Sequence, residues 1–225
     1  MDFVRKFIHK WSWTILLLFC FVGIVFPLIG SIALICMLSP VVVAFFRGRM
    51  WCGNFCPRGS FNDIILSKFS RKKGIPKMFK EEWFKVIFLV LLMGAFAVQL
   101  VLFWGDAVAI GSVFIRMIII TTLLAVILGI TYNQRTWCVI CPMGNMASYV
   151  SRLERVIKSS KHVTFKQDKC VNCKLCNKSC PIEIPVLDHK NKGRVLDSNC
   201  LKCEVCVDKC PKKALFRGGE GVSKK

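Results

Sequence analysis

Apolar residues gather in two blocks, 11–46 and 83–131, and thin out after Ser159. A bilayer core takes about 20 apolar residues per helix. The first block is long enough for two short spans, with Pro27 and Gly30-Ser31 supplying a turn and Ser39-Pro40 marking a bend. The second breaks at Trp104-Gly105-Asp106. The pattern predicts membrane helices at about 11–29, 31–46, 83–104 and 110–132. Polar segments 47–82 and 133–160 complete an α-helical polytopic domain over residues 1–160. Residues 161–217 form a separate small domain, and 218–225 a flexible tail.

Composition agrees: 54% of residues are hydrophobic and the mean hydropathy is +0.52, too apolar for a soluble domain of this size. The formal charge of +20 adds orientation. Basic residues crowd the N-terminus (Arg5, Lys6, Lys10) and the 47–80 loop, from Arg47, Arg49 and Arg58 to Lys77 and Lys80, whereas the other two turns carry none. Positive-inside sorting puts both termini and the loop on the cytoplasmic side of a bacterial inner membrane. Residues 1–26 have the basic start and apolar run of a secretory signal but no small-x-small cleavage site, so they read as a retained anchor. From Lys161 onward, 15 Lys or Arg face 7 Asp or Glu. Such a surface suits anionic lipid headgroups or an acidic electron carrier, a ferredoxin or flavodoxin, rather than nucleic acid.

The chemistry of the C-terminal domain lies in one cysteine pattern used twice. Cys170-x2-Cys173-x2-Cys176-x3-Cys180-Pro181 is followed by Cys200-x2-Cys203-x2-Cys206-x3-Cys210-Pro211. This run wraps [4Fe–4S] clusters in two-cluster bacterial ferredoxins, where the fourth Cys of each run ligates the other cluster. The expected sets are Cys170, Cys173, Cys176 and Cys210 for cluster 1, and Cys180, Cys200, Cys203 and Cys206 for cluster 2, in an α+β fold. Zinc also uses paired C-x2-C, but has no use for a third Cys at the same step. Cluster thiols must stay reduced, which fits the cytoplasmic side.

A second kind of cysteine pair is also repeated. Arg49-Met50-Trp51-Cys52-Gly53-Asn54-Phe55-Cys56-Pro57-Arg58-Gly59 returns as Arg135-Thr136-Trp137-Cys138-Val139-Ile140-Cys141-Pro142-Met143-Gly144. Each copy follows a predicted helical hairpin and precedes a stretch of helical periodicity. The membrane domain reads as two duplicated hairpins, parallel repeats about an axis along the membrane normal, which would bring Cys52, Cys56, Cys138 and Cys141 together at the cytoplasmic surface. Beside Arg49 and Arg135, at the start of a helix, these thiols are expected to have lowered pKa values. A third iron–sulfur or other metal centre, a thiol–disulfide relay and a structural role all remain open for them. Cys20 and Cys36 read as small packing residues.

These motifs resemble the NapH/NosR/CcoG-type membrane ferredoxins, which pair W-C-x3-C-P motifs at the ends of membrane helices with a two-cluster ferredoxin domain. The likeness runs from Trp11 to Pro211. The first motif matches at Cys52, Cys56 and Pro57, and the second departs by having two residues between Cys138 and Cys141. The resemblance implies membrane-bound electron transfer, with quinol oxidation in some members and regulation or metal handling in others.

Three histidines, His9, His162 and His189, fall outside the predicted spans, so no haem b ligand is expected. There is no Cys-x-x-Cys-His for haem c and no Gly-x-Gly-x-x-Gly for NAD or FAD. Arg116 is the one clear charge inside a span, expected to snorkel and pair with Asp106 or to meet a quinone. The reading is an electron-transfer component that relays electrons between a cytoplasmic carrier and the quinone pool or a membrane partner subunit. Its rival is a redox assembly or metal-reducing factor that serves the maturation of another complex.

Overall fold

The structure, a computed structural model, describes residues 2–154 and 162–217. The predicted tail 218–225 and the end of the predicted segment 133–160 lie outside the described residues. Among the described residues, four helices are long and apolar enough to cross a membrane: α1 (Asp2–Val25), α2 (Ala33–Arg47, preceded by the 3-10 turn Pro27–Ile32), α3 (Glu82–Leu102) and α4 (Ala107–Thr131). Their large apolar side chains face outward, as at Phe21 (75% exposed) and Leu91 (68%), which is the surface a lipid-facing helix presents.

Several boundaries differ from the sequence expectation. Helix α1 begins at Asp2 instead of near residue 11, because Arg5 and Lys6, which read as the basic flank of the span, lie on the helix and reach acids of the C-terminal domain. Arg5 pairs with Glu204, and Lys6 lies 3.6 Å from Asp208. His9 therefore falls inside the first apolar helix, contrary to expectation. The same helix stops at Val25 because Pro27 opens the 3-10 turn. Pro40 sits inside α2 without ending it. The expected Arg116–Asp106 pair is replaced by a helix cap: Asp106 Oδ1 accepts from the Val108 and Ala109 amides at 2.9 and 3.2 Å, while Arg116 is exposed.

The far ends of the helices meet through glycine. A Cβ on Gly30 would lie 2.2 Å from the Gly111 carbonyl oxygen, and one on Gly111 would lie 2.0 Å from that of Pro27. Backbone-to-backbone approach through small residues is how membrane helices pack when no hydrophobic driving force separates them from lipid.

At the opposite end, α2 runs into the short helices Met50–Asn54 and Pro57–Phe61, then a π-turn, Asn62–Leu66. Helix α4 runs into Thr136–Ile140 and α5 (Pro142–Glu154). Pro57 and Pro142 each occupy the first helical position, where the missing N–H costs nothing. Helix Pro57–Phe61 packs on α1, and α5 packs on α2 and α3.

The C-terminal domain has one antiparallel strand pair, β1 (Thr164–Phe165) with β2 (Leu215–Phe216), and short helices Leu175–Lys178 and Val205–Asp208. Its left-handed non-glycine residues fall in matched pairs at the same places in the two cysteine runs: Asn172 and Lys202, Lys174 and Glu204, Glu183 and Lys213. The two runs thus share one backbone conformation. A single hydrophobic core joins Val163, Ile184, Val195 and Leu201 of this domain to Cys138 and Val139 of the membrane part, with Cys52 packed against it.

Candidate metal centres

Each cysteine run wraps a loop around a hollow. One hollow is lined by Cys170, Cys173, Cys176 and Cys210, with Phe165 and Leu187 among its apolar walls. The other is lined by Cys180, Cys200, Cys203 and Cys206, with Val195 and Leu201. In each, three thiols come from one run and the fourth from the other. The Cys-Pro ends are built alike: the Ile184 amide donates to Cys180 Sγ at 3.4 Å and the Ala214 amide to Cys210 Sγ at 3.3 Å. Such N–H···S bonds stabilise negative charge on a ligating sulfur.

The donor set and the space decide what fits. Zinc draws four sulfurs to about 2.3 Å around a point. Among the described residues no three Cys, His, Asp or Glu side chains converge closely enough to hold one metal ion. Four thiols around an apolar-walled hollow suit a multi-iron cluster instead. Burial pushes Cys200 up to about 12 and Cys203 up to about 11, so both are neutral thiols unless a metal replaces the proton.

The other four motif cysteines are drawn into one neighbourhood. Cys52 and Cys138 both lie against the Arg135 guanidinium, and Cys141 packs beside Trp137. What fixes them is an exchange of arginines. Arg49, from the first motif, donates through Nη2 to the Cys138 carbonyl of the second at 2.7 Å. Arg135, from the second, donates through Nη1 to the Cys52 carbonyl of the first at 3.1 Å and lies 3.5 Å from Cys138 Sγ. The glycine closing each motif leaves room for the other's guanidinium. A Cβ on Gly59 would lie 2.9 Å from Arg135 Nη1, and one on Gly144 would lie 2.6 Å from Arg49 Nη2. Arg and Gly stand at both ends of both repeats in the sequence, but only the fold reveals that they serve each other crosswise.

Charge breaks this symmetry. Arg135 (0% exposed) is held by Asp63, with Nε 2.7 Å from Oδ1, and His9 Nε2 lies 3.0 Å from Asp63 Oδ2. Burial alone would push the Asp63 carboxyl up, but Arg135 and His9 hold it well below the usual carboxylate range. Arg49 (1% exposed) has no carboxylate paired with it among the described residues, and its Nε lacks a hydrogen-bond partner. At Cys52 and Cys56 the expectation of acidified thiols fails: burial pushes Cys52 up to about 11 despite Arg49, and raises Cys56 further. Sequence reasoning missed Asp63, and also Asn62, whose Nδ2 approaches Cys138 Sγ at 3.9 Å. Neither has a counterpart in the second motif, where Ala147 and Ser148 take those places.

The two kinds of site touch. The loop 200–203 rests on the helix Met50–Asn54: a Cβ on Gly53 would lie 2.2 Å from the Leu201 carbonyl oxygen, and Asn54 Nδ2 donates to the Lys202 carbonyl at 3.3 Å. Glu183 ties the 70–80 loop to the domain, accepting from the Ile75 amide at 3.1 Å and from Lys80 Nζ at 2.7 Å.

Comparison with known proteins agrees with this chemistry. Residues 29–76 and again 114–160 match a family described as 4Fe-4S binding domain, and residues 169–215 match one described as 4Fe-4S dicluster domain. The chain carries 4Fe-4S ferredoxin-type domains. An uncharacterized protein of Methanocaldococcus jannaschii is 25% identical over 178 residues, 78% of this chain and 66% of its own length. The "Putative electron transport protein YccM" of Escherichia coli is 24% identical over 209 residues, 82% of this chain and 55% of its own. Subunit I of the NAD(P)H-quinone oxidoreductase of Gloeobacter violaceus is 32% identical over 75 residues, 28% of this chain and 36% of its own. The chain thus spans between about half and two thirds of the length of the first two relatives. No solved structure matches.

Proposed function

We propose that this chain is a membrane-embedded electron relay of the NapH/NosR/CcoG type, built on duplicated hairpins, with three [4Fe–4S] sites in contact. Cys170, Cys173, Cys176 and Cys210 hold the outer cluster, Cys180, Cys200, Cys203 and Cys206 the inner one, and Cys52, Cys56, Cys138 and Cys141 a third at the membrane. The clusters supply one-electron carriers, and the protein supplies their spacing and electrostatics. The observation that supports the reading is the seating of loop 200–203 on the helix that bears Cys52, with Gly53 against the Leu201 carbonyl and Asn54 bonded to that of Lys202.

The third site is supported by charge. With four neutral thiols, or with two disulfides, the buried Arg49 guanidinium, like that of Arg58, has no paired carboxylate among the described residues. An uncompensated buried charge costs several kcal/mol. Thiolates bound to iron are collectively anionic and offset it, which favours the metal centre over the disulfide relay.

The outer cysteines face the cytoplasm, where Val171 and Leu175 are exposed beside lysines 174, 178 and 190, a surface suited to an acidic ferredoxin or flavodoxin. Electrons then pass to or from quinone or a partner subunit in the bacterial inner membrane; both the quinone oxidoreductase subunit and YccM are relatives in keeping with this. Reconstituted into liposomes, the protein should show cluster bleaching or recovery on addition of quinol or quinone. Cys180→Ser should abolish the inner cluster, not the outer one. Stoichiometric reduction of a metal or disulfide with no response to quinone would favour the assembly-factor reading instead.

A further inference from the structure

Arg58 belongs by sequence to a basic loop, but its side chain turns against α4 and is half-buried, with its Nε fully enclosed. Its Nη2 donates to Thr121 Oγ1 at 2.9 Å and approaches the Ile118 carbonyl at 3.4 Å. Thr121 is roughly 15 Å of helix from the end of α4 at Thr131, so the guanidinium reaches the middle third of that span. Thr121 gives its own proton to the Met117 carbonyl at 2.7 Å, leaving its oxygen as the acceptor for Arg58. No carboxylate pairs with Arg58 among the described residues, and its buried Nε has no hydrogen-bond partner.

A second orphan donor lies against it. The Arg58 guanidinium carbon is 5.6 Å from the centroid of the Trp137 ring, and Trp137, only 2% exposed, has a buried Nε1 that is also without a partner. Buried N–H donors are almost always satisfied, and a charged side chain at membrane depth is costly enough to mark a functional site. The motif does not demand the arginine, because Met143 holds the same place in the second copy. Both side chains adjoin the membrane cysteines: Trp137 precedes Cys138 and packs near Cys141, and Arg58 follows Cys56-Pro57.

We propose that Arg58 and Trp137 form the headgroup site for a quinone, with Arg58 Nε–H and Trp137 Nε1–H donating to its ring carbonyl oxygens beside α4. The chemistry fits: the missing partners are acceptors, the surroundings are apolar (Ala125, Ile140, Phe88), and the ligand must be membrane-soluble to arrive between spans. The site rests on the proposed relay to the membrane but is tested apart from it.

The test is direct binding of a decyl-tailed benzoquinone and a matching naphthoquinone to the full-length protein in detergent, by equilibrium partition, with iron content as the folding control. Arg58→Met, which copies the second motif, should weaken binding about tenfold or more, the scale of a lost hydrogen bond to a charged group. Trp137→Phe, which keeps the ring, should weaken it several-fold. Wild-type binding of both quinones by Arg58→Met and Trp137→Phe, each with full iron content, would overturn the site. So would absence of saturable binding by the wild type. Cluster response to quinol separates the two proposals: clusters that respond while both variants bind normally leave the relay standing and remove this site, and impaired binding with unresponsive clusters keeps the site and removes the relay to quinone.

Discussion

The two membrane cysteine motifs share a plan and differ in charge. Each lends an arginine to the other's backbone carbonyl and clears space for the arginine it receives with a closing glycine. The first motif has an extra residue between its cysteines and a π-turn after it, and that turn carries Asp63 to Arg135. The second has Ser148 at the equivalent place, and its hydroxyl meets Asn199 of the ferredoxin-type domain at 3.1 Å. One arginine is therefore neutralised by protein and the other is not. Repetition builds the scaffold, and departures from repetition, at Asp63 and Arg58, set its chemistry.

The largest effect should come from removing the one carboxylate. Asp63→Asn leaves Arg135 buried without a counter-charge and should cost about 3–5 kcal/mol of stability, read as a lowered denaturation midpoint. Arg49→Met in metal-free protein removes a charge that nothing balances, and should cost less than about 1 kcal/mol or stabilise. Equal losses in the two variants would break the contrast.

The glycines give a smaller and graded difference. In Gly59→Ala the new Cβ meets the Cys52 carbonyl oxygen at 2.9 Å, which is backbone and cannot swing away, so a cost of about 1–3 kcal/mol is expected. In Gly144→Ala the close atom is the end of the Arg49 side chain, and the main consequence should be a displaced guanidinium with a milder loss of stability. Thermal denaturation of both variants, side by side, checks the order.

Acid should act on the first motif first. The folded Asp63 carboxyl is held below its ordinary value, so its stabilisation is complete above about pH 4 and drains away as pH falls from there toward the depressed folded value. The wild type should lose stability across that limb, and Asp63→Asn should lose less, measured as the slope of the unfolding midpoint between about pH 5 and 3.

Much of this was legible in the chain. The four apolar helices follow from hydropathy alone, and the two matched cysteine runs name their chemistry, because cluster ligands need fixed short spacings that survive in sequence. The repeat around Trp51-Cys52 and Trp137-Cys138 was visible too. What was hidden depends on three-dimensional pairing: the crosswise arginines, Asp63 at Arg135, and Arg58 turning against α4. A count of basic residues treats Arg58 like Lys72, and only packing against Thr121 and Trp137 separates them. Thiol acidity was misjudged for the same reason, since proximity to Arg49 is readable from spacing and the burial that outweighs it is not. The early start of α1 was missed because Arg5 and Lys6 read as the basic flank of a span beginning near residue 11, whereas they lie on the helix and are partnered across the domain boundary.

The central claim is that the two motifs together hold a third iron–sulfur centre beside the inner cluster. Iron and acid-labile sulfide counted per full-length chain, purified without oxygen, test it most directly. The account predicts about twelve irons, falling to about eight in Cys52→Ser and in Cys138→Ser. About eight irons in the wild type, unchanged by either substitution, would contradict it.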